Sequence, residues 1–142
     1  MRMLAETGSR SRRPEHQLLK RRFTARTLPQ LRFGVEECAA WTGLTEPRRG
    51  EFVLAVDEIA TNAIEHAGGE GRLLLRRIDG ELEAQVTDTG PGFSPDVIPE
   101  LLPGLDGGPG GRGLWLAQLT TDRLTIGSAD PGAIVTLAVR LP

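Results

Sequence analysis

Three short stretches carry residue types whose spacing suits ligand chemistry. In residues 53–67, VLAVDEIATNAIEHA, Glu58 and Asn62 stand four positions apart, so on a helix a carboxylate and an amide are stacked one turn from each other and can reach one ligand together. Asp88 opens DTGPG, where Gly90, Pro91 and Gly92 form a turn that fixes the carboxylate and leaves its surroundings open. GGRGL, residues 110–114, puts Gly111, Arg112 and Gly113 directly ahead of Leu114 and an apolar run. Glycines at the mouth of a helix let the backbone approach a ligand, and the free amides there favour an anion such as phosphate. Each stretch taken singly also has a plainer reading, as a solvated helix face or as a loop that merely tolerates glycine. A buried Asp88 with no cation near it in sequence wants hydrogen-bond donors, which the exocyclic amine of a base would supply. The Asn62 amide oxygen is a ligand for a hard cation, and Mg2+ keeps few protein ligands when it also holds phosphates. His66 either orients the phosphate end of such a site or caps the negative end of its helix.

The elements that must position these residues follow from periodicity. Phe52, Val56, Ile59, Ala60 and Ala63 recur at helical spacing, with Glu58, Asn62, Glu65 and His66 on the other side. Thr45 is the expected N-cap, with Pro47 in the first turn and Leu44 as a staple; Gly68-Gly69 ends the helix. Leu73 and Leu75 then mark a strand over 71–77, Asp79-Gly80 a hairpin turn, and Leu82, Ala84 and Val86 a returning strand that delivers Asp88 at its end. Residues 89–113 are rich in Gly and Pro, and a loop of that length in a compact domain is usually functional. A helix over 114–119, in which Trp115 packs, strands over 122–126 and 134–141, and a turn at Asp130-Pro131-Gly132 complete the chain. Upstream, Phe23 begins a short edge strand ended by Pro29, and residues 31–41 form a first helix with Leu31, Val35 and Cys38 or Ala39 inward and Trp41 packed near its end.

A chain of 142 residues is long enough for one domain with a single core. Seven of the 17 basic residues and two of the 19 acidic ones fall in residues 1–22, leaving ten basic against seventeen acidic in the rest. Residues 1–22 read as a disordered basic arm able to touch an anionic surface weakly, and 23–142 as one acidic domain that is not a nucleic-acid binder. Deleting the arm is expected to leave the domain's ligand binding nearly unchanged. One cysteine, Cys38, excludes an intramolecular disulfide, and two histidines leave little material for a Cys/His metal site. No apolar run reaches the length of a membrane span, so no membrane contact and a cytoplasmic location are expected.

The ordered set ExxNAxxH (Glu58, Asn62, His66), DxGxG (Asp88, Gly90, Gly92) and GxGL (Gly111, Gly113, Leu114) resembles the GHKL or Bergerat-fold nucleotide-binding superfamily of gyrase, the ninety-kilodalton chaperone, histidine kinases and mismatch-repair ATPases. Within it the chain is most similar to the anti-sigma-factor serine/threonine kinases, and the resemblance spans about 23–141. It implies an α/β two-layer sandwich: a mixed, mainly antiparallel sheet of four to five strands covered by three to four helices. It further implies ATP and Mg2+ as cofactors, with Asn62 on the metal, Asp88 on the adenine amine, Gly90 and Gly92 close to the base, and the amides at Gly111 and Gly113 on the phosphates. Arg112 would be the first cation to offset phosphate charge, residues 93–110 the lid, and Glu58 the general base for a serine or threonine hydroxyl. The implied partners are a sigma factor and an anti-anti-sigma (STAS-type) protein, with a homodimer as the expected assembly. Two positions depart from the family pattern: the glycine-threonine before the last strand is Gly132-Ala133, and residues 93–111 carry no Lys or Arg. Phosphoryl transfer depends mainly on electrostatic placement, so two alternatives stand beside the kinase: a nucleotide-dependent binding module without phosphotransfer, and a detached histidine-kinase-type catalytic domain.

Overall fold

The structure, a computed structural model, describes residues 15–66, 69–88, 116–128 and 132–142. Strand β1 (Glu15–Thr24) leads through a single turn of 3-10 helix (Ala25–Thr27) into helix α1 (Leu28–Trp41). Helix α2 (Arg48–His66) and the hairpin of β2 (Glu70–Ile78) and β3 (Glu81–Asp88) follow. Residues 116–120 are helical, and β4 (Arg123–Ser128) and β5 (Ala133–Arg140) finish the chain. The five strands lie in the order β1-β2-β3-β5-β4. Every strand pairing among the described residues is antiparallel, in line with the mainly antiparallel sheet of four to five strands that was expected, and no parallel pair is among them. The reason is topological: β5 returns between β3 and β4, so each of them meets a strand of opposite direction.

The β2–β3 turn is the two-residue type that Asp79-Gly80 favours, with φ of 57° and 77° and Ile78 paired to Glu81. Helices cover one face of the sheet. Leu73 and Leu75 of β2, Leu82, Ala84 and Val86 of β3, and Val135, Leu137 and Val139 of β5 are buried together with Phe52, Val56, Ile59, Ala60 and Ala63 of α2. Burying side chains of this size stabilises by about 1.5–3 kcal/mol each before entropy is counted, so the α2 stripe anchors the molecule. Two ion pairs tie α1 to α2: Arg32 Nη2 donates to both Asp57 oxygens at 3.2 Å, and Arg49 Nε to Glu36 Oε2 at 2.9 Å.

Four expectations need correction. Residues 15–22, expected in the arm, make up most of β1, because Leu18 and Leu19 pack on the core and the strand pairs with β2 from Glu15 onward. Pro29 opens α1 instead of ending a strand, since a proline in the first turn has no amide to lose. The side-chain cap of α2 comes from Glu46, whose Oε1 accepts from the Gly50 amide at 2.9 Å, where Thr45 had been expected. Trp41 lies 68% exposed, on the side of α1 turned from the core. Cys38 is half-buried, as a small apolar side chain would be; burial pushes its thiol up, Glu37 adds to this, and Arg21 opposes it. Among the described residues no helix is long and apolar enough to cross a membrane.

The other face of the sheet carries a chain of ion pairs. Arg76 of β2 donates to Glu15 of β1 at 3.0 Å and to Glu83 of β3 at 2.7 Å, and Arg123 of β4 donates to Glu83 at 3.0 Å and Glu81 at 2.8 Å. Arg123 reaches β3 across the intervening β5 because Ala138, paired with both Glu83 and Arg123, offers only a methyl group. Burial alone would push the Glu83 carboxyl up, but Arg123 and Arg76 together hold it below the usual carboxylate range.

Candidate functional site

Asn62 lies on α2 between the core residues Ile59 and Ala63 and is 2% exposed, so an amide is built into the edge of an apolar interface. Such a group is retained only where its hydrogen-bonding capacity is used. Glu58, one turn earlier, is half-buried and follows Asp57, which Arg32 fixes to α1. Helix α2 packs on β2, β3 and β5, which sets this helix face against the sheet that carries Asp88.

Asp88 is the last residue of β3 and is 6% exposed. Two glycines define its surroundings. Gly71 is its cross-strand partner on β2, and the Phe23 ring of β1 covers Gly71 so closely that a Cβ there would lie 2.6 Å from Phe23 Cζ. Gly132, with φ of 103°, lies against the Asp88 backbone: a Cβ there would fall on the Asp88 carbonyl oxygen and 2.9 Å from Oδ1. The carboxylate is therefore held by backbone that approaches it only because side chains are missing. The register of β3 on β5 ends at Thr87 opposite Ile134, which brings buried Ala133 beside Asp88. Where the family pattern has a hydroxyl, this position has a methyl.

The structure thus brings Glu58 and Asn62 onto one helix, and Asp88 onto the sheet beneath it. Helix α2 ends at His66, whose side chain lies outside the described residues. Gly90, Gly92, Gly111, Arg112, Gly113, Leu114 and the expected lid over 93–110 also lie outside them. Among the described residues no three His, Cys, Asp or Glu side chains converge, so a cation beside Asn62 would draw most of its ligands from elsewhere, as Mg2+ on a phosphate chain does. Asp88 is thus a buried carboxylate against which Gly132 packs with no side chain. Sequence reasoning took Gly132 only as a turn residue and as half of a family motif. Its contact with Asp88 spans 44 positions, and no local pattern reports it.

A family model described as the histidine kinase-like ATPase domain matches residues 22–139. The signal transduction histidine-protein kinase AfsQ2 of Streptomyces coelicolor is 38% identical over 56 residues, which cover 39% of this chain and 10% of that protein. The chain thus spans about a tenth of the length of this curated relative. Among solved structures, the histidine kinase domain from the Erythrobacter litoralis EL346 blue-light activated histidine kinase superposes with a TM-score of 0.51 at 22% identity, over 80% of this chain and 59% of that one. That likeness concerns the fold.

Proposed function

The chain belongs to the histidine kinase-like ATPase domain family, and from that premise we propose that it is an ATP-binding anti-sigma regulator that phosphorylates a serine or threonine of an anti-anti-sigma partner. The observation that carries the nucleotide reading is the seat of Asp88, buried and met by Gly132 with no side chain between them. When bound, ATP with Mg2+ supplies the phosphoryl group and its charge compensation. Asp88 would accept from the adenine amine, its backbone held in place by the close approach of Gly132. Asn62 offers its amide oxygen to the metal from a buried, pre-oriented position, which costs little reorganisation. Glu58, half-buried and one turn away, takes the proton of the partner hydroxyl. The sigma factor, the anti-anti-sigma (STAS-type) protein, the homodimer and a cytoplasmic setting belong to this same reading.

A second reading, a histidine-kinase-type catalytic domain, is favoured by the local identity to AfsQ2. A third keeps ATP and partner binding without transfer. Calorimetric titration of ATP with and without Mg2+ tests the shared premise. Asn62→Ala and Asp88→Asn are each expected to weaken binding by at least about tenfold, the loss of one buried polar contact. Absence of binding at millimolar ATP would remove all three readings. Radiolabelled transfer to candidate partners then separates them, because phosphoserine survives acid and phosphohistidine does not. The expected result is an acid-stable product that Glu58→Gln abolishes while ATP affinity stays.

A further inference from the structure

On the sheet face turned from the helices, a groove of about 480 Å³ runs over β1, β2 and β3. Two adjacent cross-strand rows line it: Lys20, Leu74 and Gln85 in one, Arg22, Arg72 and Thr87 in the next. Arg22 and Arg72 stand directly opposite each other, an arrangement that like charges destabilise. Arg22 has a long, exposed contact to Glu70 at 3.4 Å, while Lys20 and Arg72 form no ion pair with any described residue. One row farther along, Arg76 and Arg123 are neutralised by Glu15, Glu81 and Glu83. The groove is therefore a local island of uncompensated cations, with one apolar side chain in its floor, on a chain whose net charge is -2.

We infer that this groove docks an extended acidic segment of a partner protein, with acidic side chains flanking an apolar one. Rows of a sheet repeat every two residues, about 7 Å, which is also the spacing of same-side side chains in an extended peptide. An acidic side chain meets the Arg22 and Arg72 row, an apolar one two positions on and so on the same side covers Leu74 beside Lys20, and Gln85 and Thr87 hydrogen-bond the peptide backbone. A phosphate backbone suits the surface less well, because it offers no apolar group to Leu74. The inference does not depend on the nucleotide reading, since the groove faces away from α2.

The test is fluorescence anisotropy on the full chain with a labelled Ser-Asp-Glu-Leu-Glu-Asp-Ser peptide and its Asn/Gln counterpart. The acidic peptide is expected to bind at least about tenfold more tightly and to weaken steeply between about 50 and 500 mM salt, as exposed charge pairs do. Lys20→Ala combined with Arg72→Ala, and Arg72→Gln alone as a milder variant, are expected to reduce affinity while Arg77→Ala, outside the groove, leaves it unchanged. All three side chains are exposed, so thermal midpoints should stay the same. Equal binding of the two peptides, no binding of either, or full affinity in the double variant would overturn the inference. So would tighter binding of single-stranded DNA or of vesicles containing phosphatidylserine, which would make the groove a general polyanion site.

Discussion

Asp88 and Gly132 make the sharpest residue-level case, because the demand on Gly132 is double. Its φ of 103° is one that side-chain-bearing residues rarely adopt, and the space a methyl would take is already filled by Asp88. Gly132→Ala is expected to destabilise by about 3 kcal/mol, from backbone strain plus overpacking, measured by urea unfolding. A loss below about 0.5 kcal/mol, the range of ordinary surface changes, would mean that the two backbones do not meet. Gly43 also has positive φ but open space around it, so strain alone acts there, and Gly43→Ala should cost less. At this scale the sequence was partly legible. Asn62 and Asp88 stand out by their spacing to Glu58 and to the glycines of DTGPG, but periodicity put Asn62 on the polar side of its helix, and only the fold shows that it is buried. Gly132 and Gly71 do not stand out, since what makes them glycine is a neighbour that only the folded sheet supplies.

Among the elements, α2 was the most legible, since its apolar stripe from Phe52 to Ala63 repeats over about three turns and leaves one solution. Its start and that of α1 were less so, because Pro29 and Glu46 act through first-turn geometry that many sequences share. The ion-pair chain across the open sheet face was invisible, for it links four strands through residues that look like ordinary surface charge. It yields two predictions. Ala138→Leu fills the gap through which Arg123 reaches Glu83, leaving Glu83 to Arg76 alone, and should cost about 1–3 kcal/mol in urea unfolding, the penalty for overpacking a buried site. The second concerns pH. Glu83 is pushed up by burial but held down more strongly by Arg123 and Arg76, and Asp122 is held down by the Arg140 amide and by Arg48. Both folded-state values lie below those of the unfolded chain, so the unfolded chain binds protons first as pH falls. Their stabilisation is complete above about pH 5 and is lost as pH drops through the folded values, below the unfolded-chain values of about 4. Urea midpoints taken from pH 7 to pH 2 should therefore fall on the acid side, and Glu83→Gln should flatten that limb. An unchanged limb in Glu83→Gln would show that the network does not couple to folding.

For the whole molecule, the two-layer architecture was readable because strand and helix periods alternate cleanly from Phe23 onward. The boundary was misplaced because residues 15–22 carry four basic or acidic side chains and only two that pack on the core, Leu18 and Leu19. A chain beginning at residue 23 loses most of β1 and is expected to be less stable by at least about 2 kcal/mol, the worth of the apolar surface those leucines cover. An unchanged urea midpoint in that truncation would place β1 outside the cooperative unit. The strand order carries a further consequence for how the protein is made. β1, β2 and β3 can pair as each leaves the ribosome, but β4 emerges with no neighbour among the described strands until β5 slides between it and β3. The nascent protein therefore carries an open β3 edge from Asp88 until β5 emerges, and an orphan β4 for the short stretch before it, and such edges invite pairing with other chains. Ribosome-stalled chains ending at residue 130 should be protease-sensitive and bound by chaperones, and those extended past Pro142 by enough linker to clear the exit tunnel should be resistant. The last of the five described strands is the one that closes the sheet.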